Sequence, residues 1–200
     1  MKKWFNHLDC LKAIKEKDVY TFGHCVRVAF MADRLSEKLG LSEEERKEIR
    51  EAALVHDIGK VMIPNEILNK PGKLDSEELA IMQSHAEKGL SYLEDNYIDV
   101  PKTTKDVVVG HHVGADRSGY PLQSSEVTMA QKIVTVCDIF DAVASKRKYR
   151  TEMVPIANAV NILRTDGKCD SAIAEVFINK VLPLMNIDWE KTDIEALPLK

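Results

Sequence analysis

Five of the six histidines, His24, His56, His85, His111 and His112, fall at the ends or on the apolar faces of different segments of helical periodicity, and His7 stands apart from them. A single buried histidine is most often structural, its ring satisfied by a neighbouring polar group. Five drawn from separate segments point instead to a shared centre. Two adjacent pairs, His56-Asp57 and His111-His112, sharpen the pattern. Imidazole together with carboxylate is the donor set that suits manganese, iron, zinc or nickel. Two such cations about 3.5–4 Å apart can share one carboxylate and one water, acidify that water and clamp an in-line displacement at phosphorus. Asp57 is placed to span both ions while His56 holds one of them. Lys60, three residues on, can neutralise a phosphate oxygen from the same face.

These side chains need rigid elements to bring them together. From Asp18 to Gly40, Val26, Ala29, Phe30, Ala32 and Leu35 recur largely at spacings of three and four, which predicts an amphipathic helix with a glycine stop. Ser42 followed by Glu45 forms a capping box that opens a second helix through Ile49, Ala52, Ala53, Leu54 and Val55, straight into His56-Asp57. Gly59, Pro64, Pro71 and Gly72 break the periodicity, so 59–74 reads as a loop with one short helical turn. Helix resumes at Ser76 and runs on through Leu79, Met82, His85, Leu90 and Leu93. Pro101 opens a segment ending at His111-His112, and 113–126 is a Gly/Ser/Pro loop. Val127 to Lys146 is helical again, and 153–185 adds two helices around a break at Asp166-Gly167. No β-alternation of useful length occurs, and the residues from Asn186 onward read as a loosely packed tail.

Taken together, these residues resemble a known family. His56-Asp57-Ile58-Gly59-Lys60 resembles the HDIGK signature of the HD superfamily of metal-dependent phosphohydrolases. The stretch HHVGADRSGYP from His111 to Pro121 resembles the HHExxDGxGYP signature of its HD-GYP branch. Asp18 to His24 is similar to the DxYTxGH opening, Ile63 to Leu74 to the IPxxILxKPGxL loop, and His85 with Gly89 to the HxxxG helix. Val136 to Ala142 and Arg147 to Arg150 are similar to the VADxFDAxxxxRPYR segment. The resemblance covers about residues 15–165, in order and at family spacing.

The resemblance implies an all-α fold: a single helical HD-superfamily domain over 15–165, with an N-terminal helical extension over 1–14 and C-terminal helices and tail over 166–200 packed on the same domain. It implies metal ligation by His24, His56, Asp57, His85, His111, His112 and Asp138, with Asp57 bridging two divalent transition-metal ions, iron or manganese before zinc or nickel. Lys60 would contact phosphate, Arg147 and Arg150 the substrate, and Asp141 would orient a ligand. The implied activity is hydrolysis of a cyclic dinucleotide, chiefly cyclic di-GMP, to linear pGpG or GMP. The loop Gly119-Tyr120-Pro121 is either a tight turn or a contact for a diguanylate cyclase domain. Alternatives of the same chemistry are cyclic GMP-AMP or a mononucleotide as substrate. A cyclic-dinucleotide or cyclase-binding module without turnover would have no chemical need for a bridging carboxylate beside Lys60.

The chain also departs from the family pattern. Val113 stands at the glutamate of HHE and Arg117 at the first glycine of DGxGYP. Lys146 and Lys148 replace an aspartate and a proline, and Tyr20 stands where an acid would serve a third metal. These changes leave two metals expected and put substrate preference and partner contacts in the altered 113–118 loop in question.

Composition sets the remaining bounds. The chain has 200 residues, of which 44% are hydrophobic and 30% charged, enough for one folded core. A formal net charge of -4 argues against a general nucleic-acid binder, which needs clustered cations to displace phosphate counterions. No apolar run approaches the ~20 residues that span a bilayer, and the opening residues lack a signal peptide's apolar stretch, so a cytoplasmic protein without membrane contact is expected. Cys10, Cys25, Cys137 and Cys169 have no CxxC spacing and read as reduced thiols; Cys25 and Cys137, next to ligand candidates His24 and Asp138, could be oxidation-sensitive.

Overall fold

Asp18 stops one helix and starts the next. Its amide donates to the Ile14 carbonyl at the end of α1 (His7–Lys17), and its carboxylate accepts from the Thr21 amide at 2.9 Å at the start of α2 (Val19–Lys38). In the computed structural model, which describes residues 1–121, 126–145 and 155–185, α2 is followed past its cap Leu39 by Gly40, whose φ of 80° suits a residue without a Cβ. The Ser42–Glu45 capping box then opens α3 (Glu43–Leu54). A tight 3-10 turn (Ile58–Met62) leads to α4 (Asn65–Leu68), α5 (Ser76–Gln83), α6 (His85–Asn96) and α7 (Lys102–Gly110). Thr128 and Gln131 cap α8 (Met129–Ala144) in the same reciprocal way. Then come α9 (Ile156–Thr165) and α10 (Ser171–Val176), the latter continued by a π turn (Phe177–Val181) and a 3-10 turn (Leu182–Leu184).

The core lies around α2, which packs on α1, α3 and α8. Val26, Val28, Met31 and Leu35 of α2 are buried with Ile49 and Leu54 of α3 and with Ile133, Val136 and Phe140 of α8; Phe140 meets Phe177 edge-on, ring centroids 5.0 Å apart. Cys10, Leu11 and Ile14 of α1 are buried in the same core. Burying one such leucine or isoleucine stabilises by about 1.5–3 kcal/mol, so this layer rather than helix propensity holds the site's frame.

Three details differ from the sequence reading. The helix expected to run unbroken from Ser76 divides at Ser84. There the Ser84 hydroxyl donates to the Ile81 carbonyl at 2.6 Å, and His85 Nδ1 lies 2.7 Å from the Met82 carbonyl, so side chains take acceptors that a continuing helix would use. The 59–74 stretch holds two short helical pieces rather than one. A small parallel sheet pairs β1 (Lys3–Trp4) with β2 (Tyr97–Ile98), residues about ninety apart whose pairing leaves no local alternation to read. No helix among the described residues is long and apolar enough to cross a membrane.

Candidate metal centre

Each candidate ligand sits where an element begins, ends or faces inward. His24 lies within α2 and Asp138 within α8; His56 and Asp57 follow α3, His85 opens α6, and His111 and His112 follow α7. Close backbone packing draws two of these together. A Cβ on Gly59 would collide with the carbonyl oxygen of His85, and one on Gly89 would press on Val108, so the turn after Asp57 lies directly against α6. That contact accounts for the glycines at both positions.

The side chains form two sets sharing Asp57. Asp57 Oδ2 lies 3.6 Å from His24 Nε2 and 3.5 Å from His56 Nε2, while Oδ1 lies 3.3 Å from His85 Nε2 and 3.8 Å from His111 Nε2. Asp138 Oδ1 lies 3.0 Å from His24 Nε2, and its Oδ2 lies 3.7 Å from His112 Nδ1. The donor atoms of Asp57, His85, His111 and His112 cluster within 4.8 Å of one another, as do those of His24, His56 and Asp138. Ligands held about 2.0–2.2 Å from one ion stand about 3–3.5 Å from each other, close to these separations.

Proton bookkeeping makes the fit to a cation specific. His85 Nδ1 lies 2.7 Å from the Met82 carbonyl and His111 Nδ1 lies 3.0 Å from the Val107 carbonyl, so in each ring Nδ1 carries the hydrogen and donates. Burial lowers the pKa of both rings to about 4, so each is neutral at ordinary pH and its Nε2 is a bare acceptor. These two acceptors face one another at 3.4 Å beside Asp57 Oδ1, a buried oxygen without a hydrogen-bond partner among the described residues. Three acceptors converging without a donor are costly unless a cation lies between them. The residues fit a transition-metal ion.

The other half differs by one proton. Burial pulls the His24 ring down, but hydrogen bonds to Asp138 and Asp141 outweigh it and hold its pKa at about 9. His56 is lowered, burial being the largest cause, and His112 lies well below the usual histidine range for the same reason. Burial raises Asp57, yet the Lys60 ammonium and His56 hold it well below the carboxylate range; His24 does the same for Asp138. Lys60 Nζ pairs with Asp57 Oδ2 at 2.5 Å, and the lysine remains protonated because that carboxylate outweighs the cost of burial.

Asp141 contacts the ring of a candidate ligand, His24, rather than the centre itself. Its Oδ2 lies 2.7 Å from His24 Nδ1, it accepts from Arg27 Nε at 2.7 Å and Nη2 at 2.9 Å, and the Ser145 hydroxyl donates to Oδ1 at 3.0 Å. Arg27 was not singled out from the sequence; its signal is a cation buried on the apolar face of α2 one turn beyond His24. Tyr120 of the Gly119-Tyr120-Pro121 loop stacks on His112, ring centroids 4.6 Å apart, an internal contact the loop's turn residues did not announce. His7, left out of the set, lies beside Glu51 instead. Arg147, Arg150, Lys146 and Lys148 lie outside the described residues. Cys25 and Cys137 are buried, and burial pushes both thiols well up, which disfavours the oxidisable thiolate.

Above the centre opens a pocket of about 530 Å³. His24, His85, His112 and Asp138 are on its wall with Lys60 and Tyr120; Tyr20, Ile67, Leu79 and Met82 supply apolar surface, and Lys70 and Lys73 add cations.

Fold and site together define an all-helical domain with a buried histidine–aspartate centre able to bind metal, open to a ligand-sized pocket. The HD domain family matches residues 10–173, and the chain belongs to that family. It is 40% identical over 140 residues, 69% of its length, to a 3'3'-cGAMP-specific phosphodiesterase of Vibrio cholerae. To a cyclic di-GMP phosphodiesterase of Thermotoga maritima it is 38% identical over 149 residues, 73% of its length. The chain spans 27% and 40% of those two proteins. Among solved structures, its fold is similar to an HDG"Y"P protein from Bdellovibrio bacteriovorus (TM-score 0.64, 22% identity, 80% of this chain and 51% of that one). It is equally similar to the HD domain of an L. monocytogenes phosphodiesterase solved with cyclic-di-AMP (TM-score 0.64, 20% identity, 90% of this chain and 98% of that one).

Proposed function

We propose that the protein is a two-metal phosphodiesterase that hydrolyses a cyclic dinucleotide, cyclic di-GMP in the first place, to linear pGpG or GMP. The observation that carries this reading is the carboxylate of Asp57, whose two oxygens face two separate histidine sets. Two iron or manganese ions bound there would supply an acidified water and draw charge from the phosphoryl oxygens. The chain's own residues do the rest. His24, His56, His85, His111, His112 and Asp138 fix the centre, and Lys60 Nζ, on the pocket wall and already beside Asp57, reaches for a phosphate oxygen. Tyr20, Leu79 and Met82 offer flat and apolar surface to the purines, and Tyr120, also on the wall, packs against His112. Arg147 and Arg150 are assigned to the substrate's remaining phosphate charge, and the Gly119-Tyr120-Pro121 loop to any contact with a diguanylate cyclase domain.

The 40% identity to a cGAMP-specific relative favours a second reading, cyclic GMP-AMP as substrate. Product chromatography of cyclic di-GMP, 3'3'-cyclic GMP-AMP and cyclic di-AMP incubated with manganese- or iron-loaded protein decides, with Asp57→Ala as the blank. Linear product from cyclic di-GMP supports the main reading, and turnover confined to cyclic GMP-AMP the second. Metal-loaded protein that binds these molecules without cleaving any is a binding module, and both readings fail.

A further inference from the structure

We propose that Arg27 is a positioning residue of the metal centre, acting through Asp141 to aim the His24 imidazole. The proposal rests on reading the histidine–aspartate cluster as a metal centre. It starts from two equal spacings on facing helices: His24 and Arg27 are three residues apart on α2, and Asp138 and Asp141 three apart on α8, so each pair shares one helix face. The four side chains interlock across the gap. His24 reaches Asp138 with Nε2 at 3.0 Å and Asp141 with Nδ1 at 2.7 Å, and Arg27 closes the figure by donating to both Asp141 oxygens.

A carboxylate accepting from an imidazole alone can still pivot about its own side chain, and the imidazole pivots with it. Here Asp141 is held from three directions: the fork of Arg27 engages both oxygens in a planar pair, the Ser145 hydroxyl takes Oδ1, and His24 Nδ1 takes Oδ2. The oxygen that meets the ring therefore has one position, and the ring one orientation, with Nε2 directed at Asp57, Asp138 and His56. Arg27 is 7% exposed and Asp141 2%, so no solvent competes for these bonds. His56, His85 and His111 need no such device, because each rests its Nδ1 on a backbone carbonyl near the end of the helix that precedes it. His24, in the middle of α2 where those carbonyls are already used, takes its support from a side chain, and that side chain needs Arg27.

The test is a titration of metal-free protein with Mn²⁺ against a competing chelator, together with the Tm of each metal-free variant. Arg27→Met weakens one of the two sites, the one containing His24, by about ten- to a hundredfold and leaves the His85–His111 site unchanged. Arg27→Lys, which keeps the charge but makes a single contact, falls between Arg27→Met and wild type and carries the test if Arg27→Met does not fold. Because Arg27 acts only through Asp141, the Arg27→Met/Asp141→Asn double variant binds no more weakly than Asp141→Asn alone. A folded Arg27→Met with wild-type affinity at both sites overturns the proposal. So does equal weakening of both sites in step with the fall in Tm, which is the mark of a purely structural residue, or a double variant whose losses add. Wild-type protein that takes up no Mn²⁺ overturns the metal-centre reading itself, a result distinct from all of these.

Discussion

His85 and His111 approach Nε2 to Nε2 at 3.4 Å with both Nδ1 hydrogens committed to backbone carbonyls. Two lone pairs held that close repel unless a cation lies between them, so metal should stabilise the fold as well as arm the site. Metal-replete protein is expected to hold about two ions per chain by elemental analysis, and His85→Ala about one. At a free metal concentration of about a hundred times Kd, binding adds ~2.7 kcal/mol to stability, visible as a raised Tm. One ion or none in the reconstituted wild type, with a Tm indifferent to metal, contradicts the two-set geometry.

The shared carboxylate and its lysine should part company under mutation. Asp57→Ala removes the carboxylate whose two oxygens each face a pair of histidines from a different set, so both ions are lost and turnover with them. Lys60→Ala leaves every donor of the two sets in place; it keeps metal content and slows the chemical step by about ten- to a hundredfold, the value of one charge-assisted contact of ~1.5–3 kcal/mol. Metal analysis and kcat on the same samples separate the two. Loss of metal from Lys60→Ala would show that the lysine serves the centre rather than the phosphate.

How much of this was legible in the sequence follows from the range of the interactions involved. The candidate ligands could be read because each sits where helical periodicity starts, stops or turns inward, and the cap at Ser42 is complete within four residues. Asp57's proposed bridging role was legible as a residue type beside His56, but the division of its two oxygens between histidine sets depends on α6 and α7 reaching it from far along the chain. Arg27 was hidden because one cation among apolar residues more often lays its stem on the surface and keeps its head in water. Only the facing helix α8, by presenting Asp141, turns it inward. The division at Ser84 was equally hidden, since periodicity runs straight through it and the cause is competition for two carbonyls. The Val113 and Arg117 departures could be seen, but their meaning is backbone geometry: Val113 is 3% exposed and bridges Gly119, and Arg117 sits at φ 63°, the left-handed region a glycine enters freely.

Metal uptake should release a proton from one set and not the other. His24 has a pKa of about 9 in the metal-free protein, above its ordinary value, so at pH 7.5 its Nε2 carries a hydrogen that a metal ion must displace. His85 and His111, at about 4, are already bare. About one proton per chain is therefore released at pH 7.5, affinity at the His24 site rises with pH, and the dependence flattens above about 9. Calorimetry of Mn²⁺ binding in two buffers of different ionisation enthalpy counts the proton; equal heats in both buffers would falsify the assignment.

The loop after His112 offers a paired test of two left-handed positions, Arg117 and Gly119, that differ in what surrounds them. Gly119 has φ 99°, and a Cβ there would strike the carbonyl oxygen of His112. Since that oxygen belongs to backbone, Gly119→Ala can be accommodated only by shifting His112 or the neighbouring Tyr120, whose ring stacks on it. The strain of the conformation adds about 1–2 kcal/mol to the collision. This variant should lose affinity at the set containing His112 and lower the Tm. At Arg117 the same conformation is exposed, so Arg117→Gly removes a similar strain while giving the unfolded chain about 0.4–1 kcal/mol of extra freedom. The two nearly cancel, and stability should stay within about 1 kcal/mol of wild type with metal binding intact. Thermal melts and Mn²⁺ titrations of both variants check the contrast. A Gly119→Ala variant that binds metal as wild type does would mean that the loop's backbone has no hold on His112.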